Sequence, residues 1–164
     1  MSKVSSQQFD IAGIRVKPGA CVVIAGTEWN SDIIDELEKG ARKILDQFDV
    51  TIISFRVPGA VELGFGIKKF WELHKDGPNR PSAFIAFGCV IQGDTPHFDY
   101  VCQAVTFSIS QLNLQLPVPT IFGVLTVNNH LQAVDRLGGA NGHKGEEAAV
   151  TALKMINLSD SFSI

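Results

Sequence analysis

The 164-residue sequence predicts an α/β sandwich of three layers, in which helices cover both faces of a parallel sheet. Apolar strand-like segments alternate with segments of helical periodicity in the order β-α-β-α-β-α-β-α-α. All four strand segments are apolar on both faces, which is typical of strands in a parallel sheet covered on both sides. Only 19% of the residues are charged, against about 25% in ordinary globular chains, so we expect much of the surface to be covered.

The first half of the chain predicts an arm, two strands and two helices. Residues 1–18 are polar and irregular and form the arm. An apolar strand at 20–25 ends at a glycine, and apolar residues then recur at helical spacing to position 48. Asn30 or Ser31 is the expected N-cap of that helix. The second strand spans 50–57, Pro58-Gly59 ends it, and a helix follows at 60–74.

The second half predicts two more strands and three helices. A loop at 75–81 precedes the most apolar strand, and two prolines end the long helix after it. A glycine-rich link separates the last two helices. In order these segments are a strand at 82–91, a helix at 98–115, a strand at 120–127, a helix at 129–137, the link at 138–142 and a helix at 145–158. We expect one domain at 19–164.

Composition excludes several classes of function. The net charge is −3 and no Lys/Arg cluster is present, so neither a nucleic acid nor an anionic membrane is an expected partner. The longest apolar run, Ala83–Ile91, has nine residues, against the roughly 20 of a membrane helix. The first residues lack the apolar segment of a signal peptide. Cys21, Cys89 and Cys102 are widely spaced in apolar settings, which favours buried thiols in a reducing cytoplasm.

The end of the third strand is the richest candidate site, because ligands of parallel sheets bind beyond the carboxyl ends of the strands. There the chain enters a short glycine-containing turn and then a helix. Backbone N–H groups at that helix start, with the Thr95 hydroxyl, can hold a phosphate. The alternative is that Asp94 or Thr95 only caps the helix. His97 begins the helix and is a candidate proton-transfer group; the alternative is a solvated surface histidine.

Two other strand ends offer binding groups. Glu62 follows the second strand, where a carboxylate can accept hydrogen bonds from ligand hydroxyls; the alternative is a first-turn acid facing the helix dipole. Trp29 and Asn30 follow the first strand, where an aromatic ring beside an amide suits the binding of a stacked heterocycle. The alternative is that Trp29 packs on the sheet edge and Asn30 caps the next helix. The glycines at 138–144 do not match a nucleotide phosphate loop, and the cysteines lack metal-ligand spacing.

Taken together, these segments resemble the lumazine synthase family. The match extends over nearly the whole chain from Gly19, in the order and spacing of that family. The matching segments are Trp29-Asn30, Val57–Glu62, Gly88–Tyr100, Pro119–Thr126, Gln132–Arg136 and His143-Lys144-Gly145. The resemblance implies a flavodoxin-like fold and assembly at least into homopentamers.

The resemblance also implies a reaction that needs no cofactor. In this family, 5-amino-6-(D-ribitylamino)uracil condenses with 3,4-dihydroxy-2-butanone 4-phosphate to 6,7-dimethyl-8-ribityllumazine, with loss of phosphate and water. Residues implied for the pyrimidine and its ribityl chain are Trp29, Asn30, Ala60, Val61, Glu62, Cys89, Val90 and Ile91. Those implied for the phosphate are Asp94, Thr95 and Arg136. His97 matches the proton-transfer residue, and Phe122 and Lys144 are implied to come from the neighbouring subunit.

Three positions depart from the family pattern. Gln92 stands where many members have a basic residue, Trp29 replaces a frequent Phe, and His143 replaces a common Asn. Gln92 and Trp29 leave open a catalytically weak member that binds flavin or lumazine, so the site is also a candidate riboflavin site. A second alternative is a mononucleotide-binding domain of similar fold, but this sequence lacks the phosphate loop that such a domain has after its first strand. A purely structural shell protein would assemble without binding either substrate.

Overall fold

A four-stranded parallel sheet with the strand order β2-β1-β3-β4 forms the centre of the molecule. The computed structural model describes residues 10–163. The strands are β1 (Ala20–Thr27), β2 (Val50–Val57), β3 (Ala83–Ile91) and β4 (Thr120–Val127). The central strands β1 and β3 are buried almost along their whole length, as their apolar sequences predict. The predicted α/β class and parallel sheet are confirmed.

Helices cover both faces of the sheet and complete the three layers. They are α1 (Ser31–Leu45), α2 (Leu63–His74), α3 (His97–Gln115), α4 (His130–Val134) and α5 (Lys144–Ser161). The apolar sides of α1 and α5 share one core with the sheet, and those of α2 and α3 share the other. A 3-10 turn at Ala60–Glu62 precedes α2. No helix in the described range is long and apolar enough to cross a membrane.

The prediction that all four strands are apolar on both faces is wrong for β2. This strand lies at an edge of the sheet, and Thr51, Ser54 and Arg56 are exposed while its other residues are half-buried or buried. Its polar side chains pair with α1: the Ser54 hydroxyl donates to Glu38 at 2.6 Å and Arg56 donates to Glu38 at 2.7 Å. These pairs hold the pKa of Glu38 below its usual value even though burial alone would raise it. The apolar residues of β2 nevertheless contribute to the cores on both faces of the sheet.

The glycine-rich link is a small hairpin rather than a plain connection. The strands β5 (Leu137–Gly139) and β6 (Gly142–His143) pair antiparallel. The Asp135 carboxylate accepts hydrogen bonds from the Ala140 backbone N–H at 3.1 Å and from the side chain of Asn141. These bonds turn the chain early, so α4 is shorter than the predicted helix at 129–137. Gly138 and Gly142 have φ angles of 105° and 77°, which favour glycine.

The arm lies outside the described residues up to position 9. Residues 10–18 form neither helix nor strand, as predicted. This segment was expected to be polar, but Ile11, Ile14 and Val16 pack against the core that α1 and α5 share. The Arg15 backbone N–H donates to Asn157 of α5 at 3.0 Å, which fixes this part of the arm to the last helix.

Gly145→Ala is expected to lower the free energy of unfolding by about 3 kcal/mol, because overpacking there cannot be relieved by side-chain rotation. A Cβ at Gly145 would overlap the backbone carbonyl of Leu37 and lie 2.8 Å from its carbon, so α1 and α5 would have to separate. Thermal unfolding at one fixed protein concentration measures the effect. Gly77→Ala is the control, since the nearest atom to its Cβ is the His74 carbonyl oxygen at 3.5 Å. An unchanged melting temperature of Gly145→Ala would contradict this packing.

Candidate active site

The loops that follow β1 and β2 meet at the carboxyl edge of the sheet. The Glu28 backbone N–H donates to the Val57 carbonyl at 2.8 Å, and that of Trp29 donates to Pro58 at 3.2 Å. The Trp29 ring lies against Gly59, where an added Cβ would be 2.8 Å from the ring. Any larger residue at Gly59 would therefore displace the ring.

Glu62 stands beside this tryptophan. Its Oε2 accepts a hydrogen bond from the Gly59 backbone N–H at 3.1 Å, which fixes the carboxylate next to the ring. Trp29 is 68% exposed and Val61 is 48% exposed. A carboxylate and two exposed apolar side chains thus form an open surface with room for a flat, polar-edged ligand.

The side chain of Asn30 joins the ends of β1 and β3. Its backbone adopts the left-handed conformation with φ 58°, and its side chain makes no capping hydrogen bond. The amide Nδ2 donates instead to the Cys89 carbonyl at 2.9 Å. Asn30 is therefore the N-cap residue of α1, as expected, and its carbonyl accepts the first helical hydrogen bonds. Its side chain crosses the sheet edge instead of capping the helix.

The last residues of β3 form the wall of this surface. Cys89 and Val90 are buried and Ile91 is half-buried. Burial, with a smaller contribution from Asp32, raises the pKa of the Cys89 thiol to about 11. The thiol is therefore protonated at neutral pH and is not a nucleophile. Ala60 lies behind the wall, 3.5 Å from where a Cβ on Gly88 would be.

The turn after β3 opens to solvent. Asp94, Thr95 and His97 are all exposed. The residue before α3 is Pro96, and no side chain caps the helix there. Capping by Asp94 or Thr95, the alternative weighed from the sequence, is therefore not observed. The start of α3 and its turn are accessible to an anion, and His97 is the first residue of the helix.

A second group of predicted site residues lies along and beside β4, the edge strand on the far side of β3. Phe122 is half-buried in β4, and Lys144 is the first residue of α5. Both line a cavity of about 720 Å³, together with Glu147 and Thr151. Among the described residues that line this cavity, none belongs to the Trp29 surface.

The Glu147 carboxylate links Arg136 to Lys144. Glu147 accepts two hydrogen bonds from the Arg136 guanidinium, at 3.0 and 3.1 Å, and lies 3.6 Å from the Lys144 ammonium. Arg136 and Lys144 also line a neighbouring cavity of about 570 Å³. No role for Glu147 was predicted from the sequence. Its position three residues after Lys144 in a predicted helix was the available signal.

A contact near the strand ends was also missed. His130, at the start of α4, lies 2.9 Å from the Asp32 carboxylate at the start of α1. This hydrogen bond lowers the pKa of Asp32. The pair ties the loop after β4 to the loop after β1. The two partners lie 98 positions apart in the sequence, which left no sequence signal for this pair.

The predicted site residues therefore form two halves within one chain. We call the first the pyrimidine half and the second the phosphate half, after the ligands that the resemblance implies for Trp29 and for Arg136. The pyrimidine half contains Trp29, Asn30, Ala60, Val61, Glu62, Cys89, Val90, Ile91, Asp94, Thr95 and His97. The phosphate half contains Phe122, Arg136 and Lys144. Hydrogen bonds and packing join the strand ends of the first half, and Glu147 joins the two cations of the second.

Comparisons with known proteins agree on one family. The model of the 6,7-dimethyl-8-ribityllumazine synthase family matches residues 19–160. A protein of that name from Porphyromonas gingivalis is 51% identical over 138 residues, which is 82% of this chain and 83% of the relative. Another from Parabacteroides distasonis is 48% identical over 141 residues, or 84% of each chain. One from Bdellovibrio bacteriovorus is 43% identical over 139 residues, covering 84% of this chain and 74% of the relative.

Proposed function

The chain belongs to the 6,7-dimethyl-8-ribityllumazine synthase family, and we propose that its active site forms where the pyrimidine half of one subunit meets the phosphate half of its neighbour. The function is the condensing step of riboflavin biosynthesis that defines the family. The ribitylaminouracil and the butanone phosphate give the lumazine, phosphate and water. The alternative of a weak catalyst that serves as a flavin-binding protein is not favoured by these relatives.

The pyrimidine half is proposed to hold the ribitylaminouracil. The exposed Trp29 ring offers a face for stacking, and the fixed Glu62 carboxylate can accept hydrogen bonds from the ribityl hydroxyls. The end of β3 provides the wall along the ring edge. The same flat surface is the proposed place for riboflavin, whose ring system and ribityl chain resemble those of the product.

The phosphate half is proposed to close the site from the next subunit. Arg136 and Lys144 provide positive charge, and the turn with Asp94 and Thr95 provides backbone N–H donors for the same phosphate. Phe122 would cover the free face of the pyrimidine. Trp29 is 68% exposed in one chain, which supports the proposal that a second chain covers this surface.

Assembly into at least a pentamer is proposed on the surface of α3. Tyr100, Phe107 and Leu114 recur every seven residues along this helix and are 69%, 66% and 80% exposed. A stripe of large apolar side chains at that spacing is typical of a helix that packs against another helix. Covering it in the oligomer also accounts for the low share of charged residues.

The chemistry needs proton transfers more than a protein nucleophile. The substrate amine attacks the butanone carbonyl, an imine forms with loss of one water, phosphate is eliminated, and ring closure by the ribityl-bearing amine releases a second water. His97, at the exposed start of α3, is proposed to move protons in these steps. The protonated Cys89 thiol stays a wall residue. The site mainly holds two reactants together, and that is proposed as the larger part of the rate enhancement.

The remaining assignments are proposed on sequence grounds. Residues 19–164 form one synthase domain and residues 1–18 an arm. The three cysteines are free thiols, which supports a cytoplasmic location.

A steady-state assay with both substrates, following the lumazine chromophore, tests the function directly. We expect turnover, and we expect sedimentation velocity to show a pentamer or a multiple of it. The absence of turnover, together with tight quenching of added riboflavin, would mean that the chain is a binding protein. Turnover by a monomer would contradict the shared site.

A further inference from the structure

His143 stands at the junction of β6 and α5, where other members of the family commonly have an asparagine. Its Nδ1 accepts a hydrogen bond from the Gly145 backbone N–H at 3.2 Å. Because an N–H donates this bond, Nδ1 has no proton and acts as the cap of α5. The asparagine Oδ1 occupies the position that Nδ1 has in histidine, so the two residues can make the same cap.

The imidazole ring is also seated between other elements. A Cβ added at Gly40 of α1 would overlap the ring, lying 2.5 Å from Nδ1 and 2.7 Å from Nε2. On the other side, a Cβ at Gly138 of β5 would be 3.7 Å from Cδ2. The ring therefore fills a space that exists because α1 has a glycine at this point. An asparagine would make the cap but leave part of the space empty.

The first turn of α5 holds both cations of the phosphate half. Lys144 follows His143 directly, and its backbone N–H donates to the Arg136 carbonyl at 2.8 Å. Glu147, one turn further, holds the Arg136 guanidinium at 3.0 Å. A shift or fraying of this turn would therefore move both cations at once.

We propose that His143 is a positioning residue for the phosphate-bearing substrate. It fixes the first turn of α5 against α1 and thereby sets the places of Lys144 and Arg136. The inference rests on the proposed role of these two cations in binding the phosphate. His143 itself does not touch the substrate.

His143→Gln and His143→Asn separate positioning from simple stability. The glutamine amide reaches beyond the position of Nδ1 and cannot reproduce the cap. We expect H143Q to raise the KM for the butanone phosphate about fivefold, the usual cost of a lost cap. The KM for the pyrimidine, which binds in the other half, should stay unchanged. H143N should restore the wild-type KM, because its Oδ1 caps the helix.

A matched control is available on the other side of the sheet. His74 is also half-buried, its Nδ1 lies 2.9 Å from the Phe70 carbonyl oxygen, and its ring stacks on Phe70 at 4.0 Å. H74Q makes the same substitution far from the phosphate half. We expect it to leave both KM values unchanged.

Gly40→Ala tests the seat of the ring even if H143Q assembles poorly. In the wild-type background the added methyl group displaces the imidazole, so the KM for the butanone phosphate should rise. In the H143N background the ring atoms Cε1 and Nε2 are absent and only Oδ1, at the place of Nδ1, stays near the added methyl group, so the same G40A change should have a smaller effect. Equal effects in both backgrounds would overturn the proposed seat.

The outcomes distinguish this inference from its premise. If R136A raises the KM for the butanone phosphate but H143Q only lowers the melting temperature, His143 is merely structural and the inference is wrong. If R136A leaves that KM unchanged, the proposed phosphate role fails and the inference falls with it. A raised KM in H143Q that H143N rescues supports both.

Discussion

His97→Ala is expected to retain measurable turnover, with kcat lower by about 10²- to 10⁴-fold, the range that a positioned acid or base contributes. The remaining rate comes from holding the two substrates together, which this change leaves intact. His97 is exposed at the start of α3, so its removal should not unfold the chain. The kcat of the purified, assembled variant provides the measurement.

His74→Ala serves as the control for this change, since it removes a histidine outside the site. Circular dichroism and sedimentation should show both variants folded and assembled. A fully assembled His97→Ala variant with no turnover above the uncatalysed rate would contradict the account, because proximity would then contribute nothing without the base.

Arg136→Ala is expected to raise the KM for the butanone phosphate by about 100-fold, because a bidentate charge-assisted contact to phosphate is among the stronger polar interactions. The KM for the pyrimidine should change much less, since the proposed pyrimidine half lies on other strands. Separate titrations of the two substrates give both constants.

Two further variants sharpen the test of Arg136. Arg136→Lys keeps the charge but cannot reproduce the guanidinium contacts with both Glu147 and Asn141, so an intermediate KM is expected. Glu147→Gln removes the charge that orients the guanidinium and should raise the same KM. An unchanged KM in Arg136→Ala would exclude this residue from phosphate binding.

Much of the sheet was predictable because strands that are buried on both faces have continuous apolar sequences. The central strands β1 and β3 are apolar throughout, and both are buried on both faces. The prediction for β2 was wrong because Ser54 and Arg56 stand among apolar neighbours in the sequence, and only the fold shows that they pair with Glu38 of α1. The β5–β6 hairpin was missed because its cause is a side chain, Asp135, that turns the backbone.

The site was predictable where topology alone brings residues together. Parallel strand ends meet at one edge, so Trp29, Glu62 and the end of β3 had to be neighbours. The role of Asn30 depended on a left-handed backbone that its sequence context does not reveal. The ion pair of Arg136 with Glu147 depended on how a hairpin places two helices. Such contacts follow from tertiary packing and leave no periodic signal.

Mixed oligomers test most directly the proposal that two subunits share each site. One variant, Trp29→Ala/Glu62→Ala, damages the pyrimidine half, and the other, Phe122→Ala/Arg136→Ala, damages the phosphate half. Each alone should be nearly inactive. When the two variants are co-assembled in equal amounts, about a quarter of the interfaces join two intact halves. About a quarter of the wild-type activity should therefore return. Co-assemblies that are no more active than the separate variants would mean that each chain contains its whole site, and would contradict the account.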